Sequence, residues 1–509
     1  MITASMLYDL VECPHRPRMD LFADPLKRDK LSPFVKLLWE RGTAYEQEVV
    51  AVLDIPFLDL TPYSMEEKEI KTHEAVVNKE PLIYGGRISA GDLLGEPDLL
   101  RLEDDGYVAG DIKSGSAEEG GEDDPRPKKH YAVQLALYTD ILERKGLSSK
   151  RKPFVWDIHG EEVTYALDEL TGKKDPTTLW KIYQETLDEA RSIVNQTWDT
   201  DPAYISKCKL CHWKTECLKT MEKSDDLTLL PELGRTMRDV LFNEIQTVQE
   251  LANTRIERFI KGRITIFRGI GIKSLEKFKA RADLVKSKNP QPYMKEAIDI
   301  PGSERELFFD IEVDPMQNFC YLHGFVERSN GDNNTEKYVA FYATDLSNAA
   351  EEKAFVDALN YIRQNQPCTI YYYSKYERTM WRKLQLKYPD ACSTDEIETL
   401  FDPGNSIDLL EVVRKYTEWP TRDHSIKTLA QFLEFKWRDT DPSGAASIEW
   451  FQRWSWAPWD QKIKQRILEY NEDDCLATRV LLDKIKKLND LFEVKARFPL
   501  PALLRLTRK

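Results

Sequence analysis

Three sets of side chains in this 509-residue sequence have the types and spacing to do chemistry. In GEPDLLRLEDDGYVAGDIKSG, Asp98 precedes a short apolar run and an acidic turn, after which Asp111 and Lys113 stand two apart. Residues two apart on a strand share a face, so Asp111 and Lys113 project together while Ile112 turns into the core. Two carboxylates converging from paired strands can hold a hard cation such as magnesium, and a lysine beside them can orient water or stabilise charge on a phosphate. In ELFFDIEVDP, Asp310 and Glu312 share a strand face and Ile311 points the other way. Far downstream, ILEYNEDDCLATRVLL reads as an amphipathic helix on which Tyr470 and Asp474, four apart, are neighbours. Between these, IYYYSKYERTMWRKL reads as a strand running into a helix, with Glu377 at the transition. The third set is sulfur: Cys208, Cys211 and Cys217 in CKLCHWKTEC, with Cys13 alone in VECPHR. By ligand type, thiolates suit an iron-sulfur cluster or zinc about equally, and His212 could complete a zinc site. Cys320, Cys368, Cys392 and Cys475 are scattered and read as small buried hydrophobes.

Scaffolds of some size must position these groups. At ~150 residues per domain the chain suggests about three units. Hydrophobic residues at 41% and aromatics at 11% suffice for real cores and exclude global disorder. Mixed helix and strand patterns run to about residue 220, short helical patterns to about 290, and a third unit follows the punctuated KSKNPQPY. AEEGGEDDPRPKK (117–129) reads as an exposed loop inside the first unit. The start lacks a basic leader with an apolar run, and no stretch approaches the ~20 apolar residues that span a bilayer, so a soluble cytoplasmic protein without membrane association is expected. Eight cysteines in such a chain are expected to be reduced. No GxxxxGK[ST] is present, which removes a recognisable P-loop motor. The net charge of −14 argues against a wholly electrostatic nucleic-acid binder, but residues 255–288 hold eleven Lys or Arg against three acids, an excess of +8. Within them Gly269-Ile270-Gly271 separates two short helical patterns as the hairpin of a helix-hairpin-helix motif, where Gly269 and Gly271 let backbone N–H groups approach a phosphate and Lys273 and Lys277 add charge. LLPELGRTMRDVL reads as a degenerate earlier copy with Glu232 where a glycine is expected.

The first-half residues resemble the PD-(D/E)XK nuclease superfamily, read as Pro97-Asp98 and Asp111-Ile112-Lys113. Gln134 and Tyr138 in YAVQLALY, one helical turn apart, match the QxxxY element of RecB-type nucleases. RGTAYEQEVV resembles that family's first helix, where a His or Glu often completes the metal site, which makes Glu46 the candidate in place of the commoner His. The split cysteine pattern resembles iron-sulfur nucleases related to RecB, AddB and the CRISPR-associated exonucleases. That resemblance selects a structural [4Fe-4S] cluster over Zn2+ and ties residue 13 to residues beyond 208. The second-half segments resemble, in order, the DxE, second acidic and YxxxD motifs of DEDD-type RNase H-like 3'-5' exonucleases. The resemblance implies that Asp310, Glu312, Glu377 and Asp474 bind two divalent ions, Mg2+ or Mn2+, while Tyr470 orients the nucleophile. Two departures stand out: Tyr376-Glu377 replaces the usual Phe-Asp, and Asp473 competes with Asp474. Asp408 in SIDLLEVV is either a further ligand or a helix cap.

Both halves together resemble the RecB-like nuclease family in which a PD-(D/E)XK domain precedes an RNase H-like domain. The expected chain is α/β: a restriction-endonuclease-like mixed sheet with helices over 1–220, a helical helix-hairpin-helix linker over 221–295, and an RNase H-like exonuclease domain over 300–509. The expected activity is metal-dependent hydrolysis of DNA, single-stranded or at ends, at two active sites in DNA processing or repair. A separate helicase partner is expected, because some relatives carry a fused one. The competing expectations are a non-catalytic nucleic-acid scaffold with vestigial sites and an RNA-directed nuclease.

Overall fold

The computed structural model describes residues 1–497 except 105, 121–124, 149, 173–175 and 441–442, and leaves out the side chains of 33 and 495–497. Part of the acidic turn (residue 105) and of the charged loop (121–124) therefore lies outside the described residues. The chain divides into two compact units, residues 1–202 with 206–220, and residues 203–205 with 221–509. Among the described residues no helix is long and apolar enough to cross a membrane.

The first unit is built on a six-stranded mixed sheet whose spatial order follows the chain: β1 (Leu58–Asp59), β2 (Leu82–Tyr84), β3 (Leu99–Glu103), β4 (Gly106–Ile112), β5 (Phe154–Trp156) and β6 (Glu162–Thr164). β3 and β4 form an antiparallel hairpin and β4 pairs parallel with β5. As a central strand, β4 is buried along Tyr107 to Ile112, which is why GYVAGDI reads as a nearly continuous apolar run. Helices α1 (Ala4–Glu12), α2 (Pro33–Ala51), α3 (Lys129–Arg144) and α4 (Leu179–Val194) surround it. Ser32 caps α2 by accepting from the Val35 N–H, with Pro33 at the first helical position. α3 packs on α1, α4 and β4, and buries Ala132, Val133, Leu135, Leu137, Tyr138 and Ile141.

In the second unit a five-stranded sheet has the order β11-β10-β9-β12-β13, from β9 (Arg305–Asp314), β10 (Phe319–Ser329), β11 (Asp332–Tyr342), β12 (Thr369–Tyr372) and β13 (Ser406–Asp408). β9 is central, antiparallel to β10 and parallel to β12, and its register with β10 shifts between Glu312 and Val313. Such a bulge re-aims the side chains beside it. Before the sheet come three helices: α5 (Arg235–Leu241), α6 (Val248–Asn253) and α7 (Ile272–Val285). After β11 follow α8 (Asn348–Gln364), α9 (Tyr376–Lys387), α10 (Leu409–Tyr416), α11 (Ile426–Phe432), α12 (Gly444–Trp456) and the 37-residue α13 (Gln461–Arg497). α13 lies on β9 and β10 and buries Ile467, Tyr470, Ala477, Leu481 and Ile485, the three-to-four spacing of one helical face.

Gly269 takes φ +80° and Gly271 is the N-cap of α7, with no side-chain cap. Glu232 takes φ +64° two residues before Gly234, the N-cap of α5. The two turns thus share one design, a left-handed residue, a buried Leu233 or Ile270, and a glycine cap, and Glu232 adopts a conformation that costs a glycine nothing. What precedes Gly269 is a β-hairpin, β7 (Ile260–Lys261) with β8 (Ile264–Thr265), rather than the expected helix, because β-branched residues flank a turn at Gly262 with φ +63°. The +8 excess also overstates the open charge. Lys277 pairs with Glu232, Lys279 with Asp283 and Lys286 with Asp225, while Arg281 is buried on Glu418.

Arg281 joins α7 to the rest of this unit. It is 1% exposed and donates to Glu418 (2.9 Å, 2% exposed) and to the Pro231 carbonyl (2.6 Å). Removing one member of a buried ion pair strands the other, so Arg281→Met should lower the stability of this unit by about 3 kcal/mol, the low end of the usual range because Lys295 remains 3.3 Å from Glu418. Lys277→Met, which removes a one-third-exposed pair, should cost under ~1 kcal/mol. Denaturant unfolding of both variants checks this, and equal losses would contradict it.

Candidate active sites

In the first unit Asp98, at the entry to β3, accepts the Ile112 N–H at 2.7 Å, and so is locked across the hairpin beside Asp111. Lys113, one residue past β4, places Nζ 2.8 Å from Asp111 Oδ2. The shared face expected of Asp111 and Lys113 is therefore present, and Ile112 is buried with Val50, Leu82, Tyr84, Leu99 and Phe154. Glu46, on α2, accepts from the Tyr84 hydroxyl at 2.8 Å. Burial, then the charge of Asp111, with a smaller push from Glu46, raises the Asp98 carboxyl to about 8 against the relief given by Lys113. Burial alone would pull the Lys113 ammonium down, but Asp111 and Asp98 outweigh it and hold the proton on. From α3, Gln134 brings a buried Oε1 that finds no hydrogen-bond partner. Tyr138, one turn on, is buried and within the field of Asp111 and Asp98, and Lys113 Nζ lies 5.6 Å from the Tyr131 ring on the same helix face. Three carboxylates and an ammonium act on one another here, with an orphaned amide oxygen on the helix face that carries Tyr131 and Tyr138, a donor set suited to a hard divalent ion and a phosphate.

In the second unit Asp310, Glu312 and Asp474 offer ligand oxygens that all lie within 4.8 Å of one another, the one such group among the described residues. Two come from β9 and one from α13. Burial, then Asp474, pushes Glu312 up to about 8, while burial, then Asp474, Glu312 and Glu377, drives Asp310 well above the carboxylate range. Mutual repulsion in a dry place is what a divalent ion relieves, so the residues fit one. Glu377, buried at the start of α9, stands outside the triplet but acts on it through its charge. Of the two candidates, Asp474 belongs to the triplet, whereas Asp473 is held by Arg438 (2.9 Å). Asp408 caps α10 through the Leu410 N–H and also accepts the Ser374 N–H at 3.0 Å, where Ser374 is strained at φ +120° just before Glu377. Tyr470 is kept a neutral phenol by burial, then by Asp474, Glu312 and Asp310.

Residues 23–218 match the PD-(D/E)XK nuclease superfamily and residues 307–486 match the RNase H superfamily. Each of the two stretches thus resembles a different superfamily, one in each half of the chain. No curated protein matches it. The PD-(D/E)XK match takes in Glu46, Asp98, Asp111, Lys113, Gln134 and Tyr138, and the RNase H match takes in the acidic triplet, Glu377 and Tyr470.

In the first unit the four cysteines of the sequence pattern lie close enough to act on one another through their charge. Cys13 follows α1, Cys208 and Cys211 sit on and after a 3-10 turn (Ser206–Leu210), and Cys217 lies in the helix Lys214–Ser224. Burial pushes the Cys217 thiol to about 12, and Cys211, Cys13 and Cys208 each add to it, so the sulfurs share one locality. His212 places Nε2 2.7 Å from Asp20, which also accepts from Trp213 Nε1 at 2.9 Å, so that ring nitrogen is occupied by a carboxylate.

Several RNase H site residues escaped sequence reasoning. Asn471 is fully buried, donates to Asp310 Oδ2 at 2.7 Å and accepts from the Tyr338 hydroxyl at 2.9 Å. Its place one helical turn before Asp474 was a usable signal. A β-carbon at Gly324, opposite Asp310 in the ladder, would lie 1.6 Å from Asn471 Oδ1, so only glycine leaves room. Lys427 on α11 donates to Tyr470 Oη at 2.6 Å and lies 3.9 Å from Asp474, and Trp437 donates to Asp474 at 2.7 Å. Neither carries a local motif; only the tertiary fold brings them in.

These shifts fix a pH dependence. With the folded pKa of Glu312 and Asp98 near 8, above their ordinary 4.5 and 3.8, the folded state binds more protons than the unfolded between about 4 and 8. Stability without divalent ions should therefore fall as pH rises through that window. Added Mg2+ or Mn2+ should raise the melting temperature by more at pH 8 than at pH 5.5. Thermal melts with and without chelator test this, and an equal or opposite metal effect at the two pH values would refute it.

Proposed function

We propose that the chain is a divalent-metal-dependent nuclease with two chemically independent active sites, acting on single strands or ends of DNA in DNA processing in the cytoplasm, alongside a separate helicase. The observation that carries the reading is the close triplet Asp310, Glu312 and Asp474 with Tyr470 one turn from Asp474. These acids, with Glu377, would hold Mg2+ or Mn2+ in the RNase H unit, and Glu46, Asp98 and Asp111 in the other. Bound there, the ions supply activation of water and stabilisation of the leaving oxygen. The protein's own groups do the rest. Tyr470 keeps its proton and offers it to orient the nucleophile, while Lys427 fixes the phenol oxygen. Lys113 stays charged against Asp111 to stabilise phosphate charge, and Gln134 and Tyr138 orient that site.

The hairpin glycines Gly269 and Gly271, with exposed Lys273, would contact the nucleic-acid backbone without regard to sequence; a β-carbon at either glycine would meet nothing within 4 Å. Lys277 contributes less than its charge suggests, since Glu232 holds it at 2.7 Å. Four thiols in one locality, with His212 turned to Asp20, support a [4Fe-4S] cluster on Cys13, Cys208, Cys211 and Cys217 over a zinc site that uses His212 Nε2. Anaerobically purified protein should then be brown with a broad visible band that Cys211→Ala removes; colourless protein with stoichiometric zinc would overturn this.

The active-site reading predicts that Asp111→Asn and Asp310→Asn each abolish a different activity, by on the order of 100-fold or more, because each removes a ligand of the group that stabilises the phosphate transition state. The double variant should be inert and still bind oligonucleotides. The measurement is product analysis on 5'-labelled and 3'-labelled single strands, duplex and RNA. If Asp310→Asn changed no product pattern on any of them, catalysis by the second unit would be withdrawn.

A further inference from the structure

Trp456 and Trp459 are 84% and 77% exposed, the two most open aromatic side chains among the described residues. Single exposed apolar residues are ordinary, but two indoles three apart on one short connection form a patch that asks for a partner. Trp456 ends α12, Trp459 lies in the turn through Pro458, and α13 begins two residues later.

The connection joins the two helices that line the RNase H site. On α12, the buried Ser447 hydroxyl favours the charged form of Glu312, and the Trp450 ring lies 5.9 Å from that of Tyr470. On α13 come Tyr470, Asn471 and Asp474. Nine residues separate Ser447 from Trp456, about 13 Å along the helix, or roughly four stacked nucleotides at ~3.4 Å each. The start of α13 lines a surface depression of about 520 Å³ with Lys462, Lys464, Gln465 and Leu468, where Lys462 is exposed and Lys464 Nζ lies 4.9 Å from the Tyr342 ring. Open indoles within a few residues of lysines, on the connection between two helices that carry site residues, are complementary to bases on a polyanionic strand.

We propose that Trp456 and Trp459 form a base-stacking platform that, with Lys462 and Lys464, holds the single-stranded nucleic acid about four nucleotides from the acidic triplet. The proposal rests on the nuclease reading of that site and deepens it. Stacking is indifferent to base identity, so the platform supplies affinity and length preference without sequence preference.

The test uses the full chain and an oligothymidylate carrying one 5-iododeoxyuridine, bound in chelator so that nothing is cleaved, then irradiated and mapped. The adduct should fall on Trp456 or Trp459. Trp456→Ala with Trp459→Ala should raise the Kd about 10-fold or more, and the paired Phe variant under about 3-fold. Hydrolysis of the p-nitrophenyl ester of thymidine monophosphate, too short to reach the platform, should be unchanged in both variants. Adducts elsewhere with affinity within twofold would overturn the platform, as would variants that lose a co-purifying protein but keep the oligonucleotide. If the unmodified chain cleaved nothing yet crosslinked at these tryptophans, the nuclease reading would fail and the platform would stand.

Discussion

Asp310, Glu312 and Asp474 repel one another, and the burial that surrounds them removes the water that would screen them. Nothing local to three acids holds them within 4.8 Å, so the second unit has to. A central strand paired on both sides fixes two of them, and a 37-residue helix seated on that strand fixes the third. Around them stand groups that limit where each oxygen can go: the Asn471 amide on Asp310, the Trp437 indole on Asp474, and the Lys427 ammonium between Tyr470 and Asp474. The PD-(D/E)XK unit meets the same constraint with a built-in cation, Lys113, and a backbone N–H from Ile112.

The parts that could be read from sequence are those in which periodicity alone sets direction. Alternation on β4 and β9 gave the shared faces of Asp111 with Lys113 and of Asp310 with Glu312, and the four-residue step on α13 gave Tyr470 with Asp474. Contacts made by the tertiary fold stayed hidden. Lys427 lies 43 residues from Tyr470 with no motif around it, and the choice of Asp474 over Asp473 depended on Arg438, whose position no spacing rule supplies. The β-hairpin at Ile260–Thr265 was missed for a different reason: strands of two residues are too short to show a period against helical neighbours.

Counting charges along the linker misled for a related cause. A sequence sums Lys and Arg without regard to partners, yet Arg281 is fully buried against Glu418, and Lys277 and Lys286 answer acids outside the counted window. Part of the apparent basic patch is therefore internal cement for the second unit. The surface available to a polyanion is correspondingly narrower, centred on the exposed hairpin turns and Lys273.

Gly324 has no side chain to offer the acids, but the space it leaves is where Asn471 reaches Asp310. One methyl group there would push Asn471 aside and leave Asp310 without its guide, with every carboxylate of the motif still in place. Inheritance of the acidic signature is thus not the same as inheritance of a working site. Two descendants of this chain could look identical to a motif search and differ in whether they react at all, and the residue that tells them apart has no side chain.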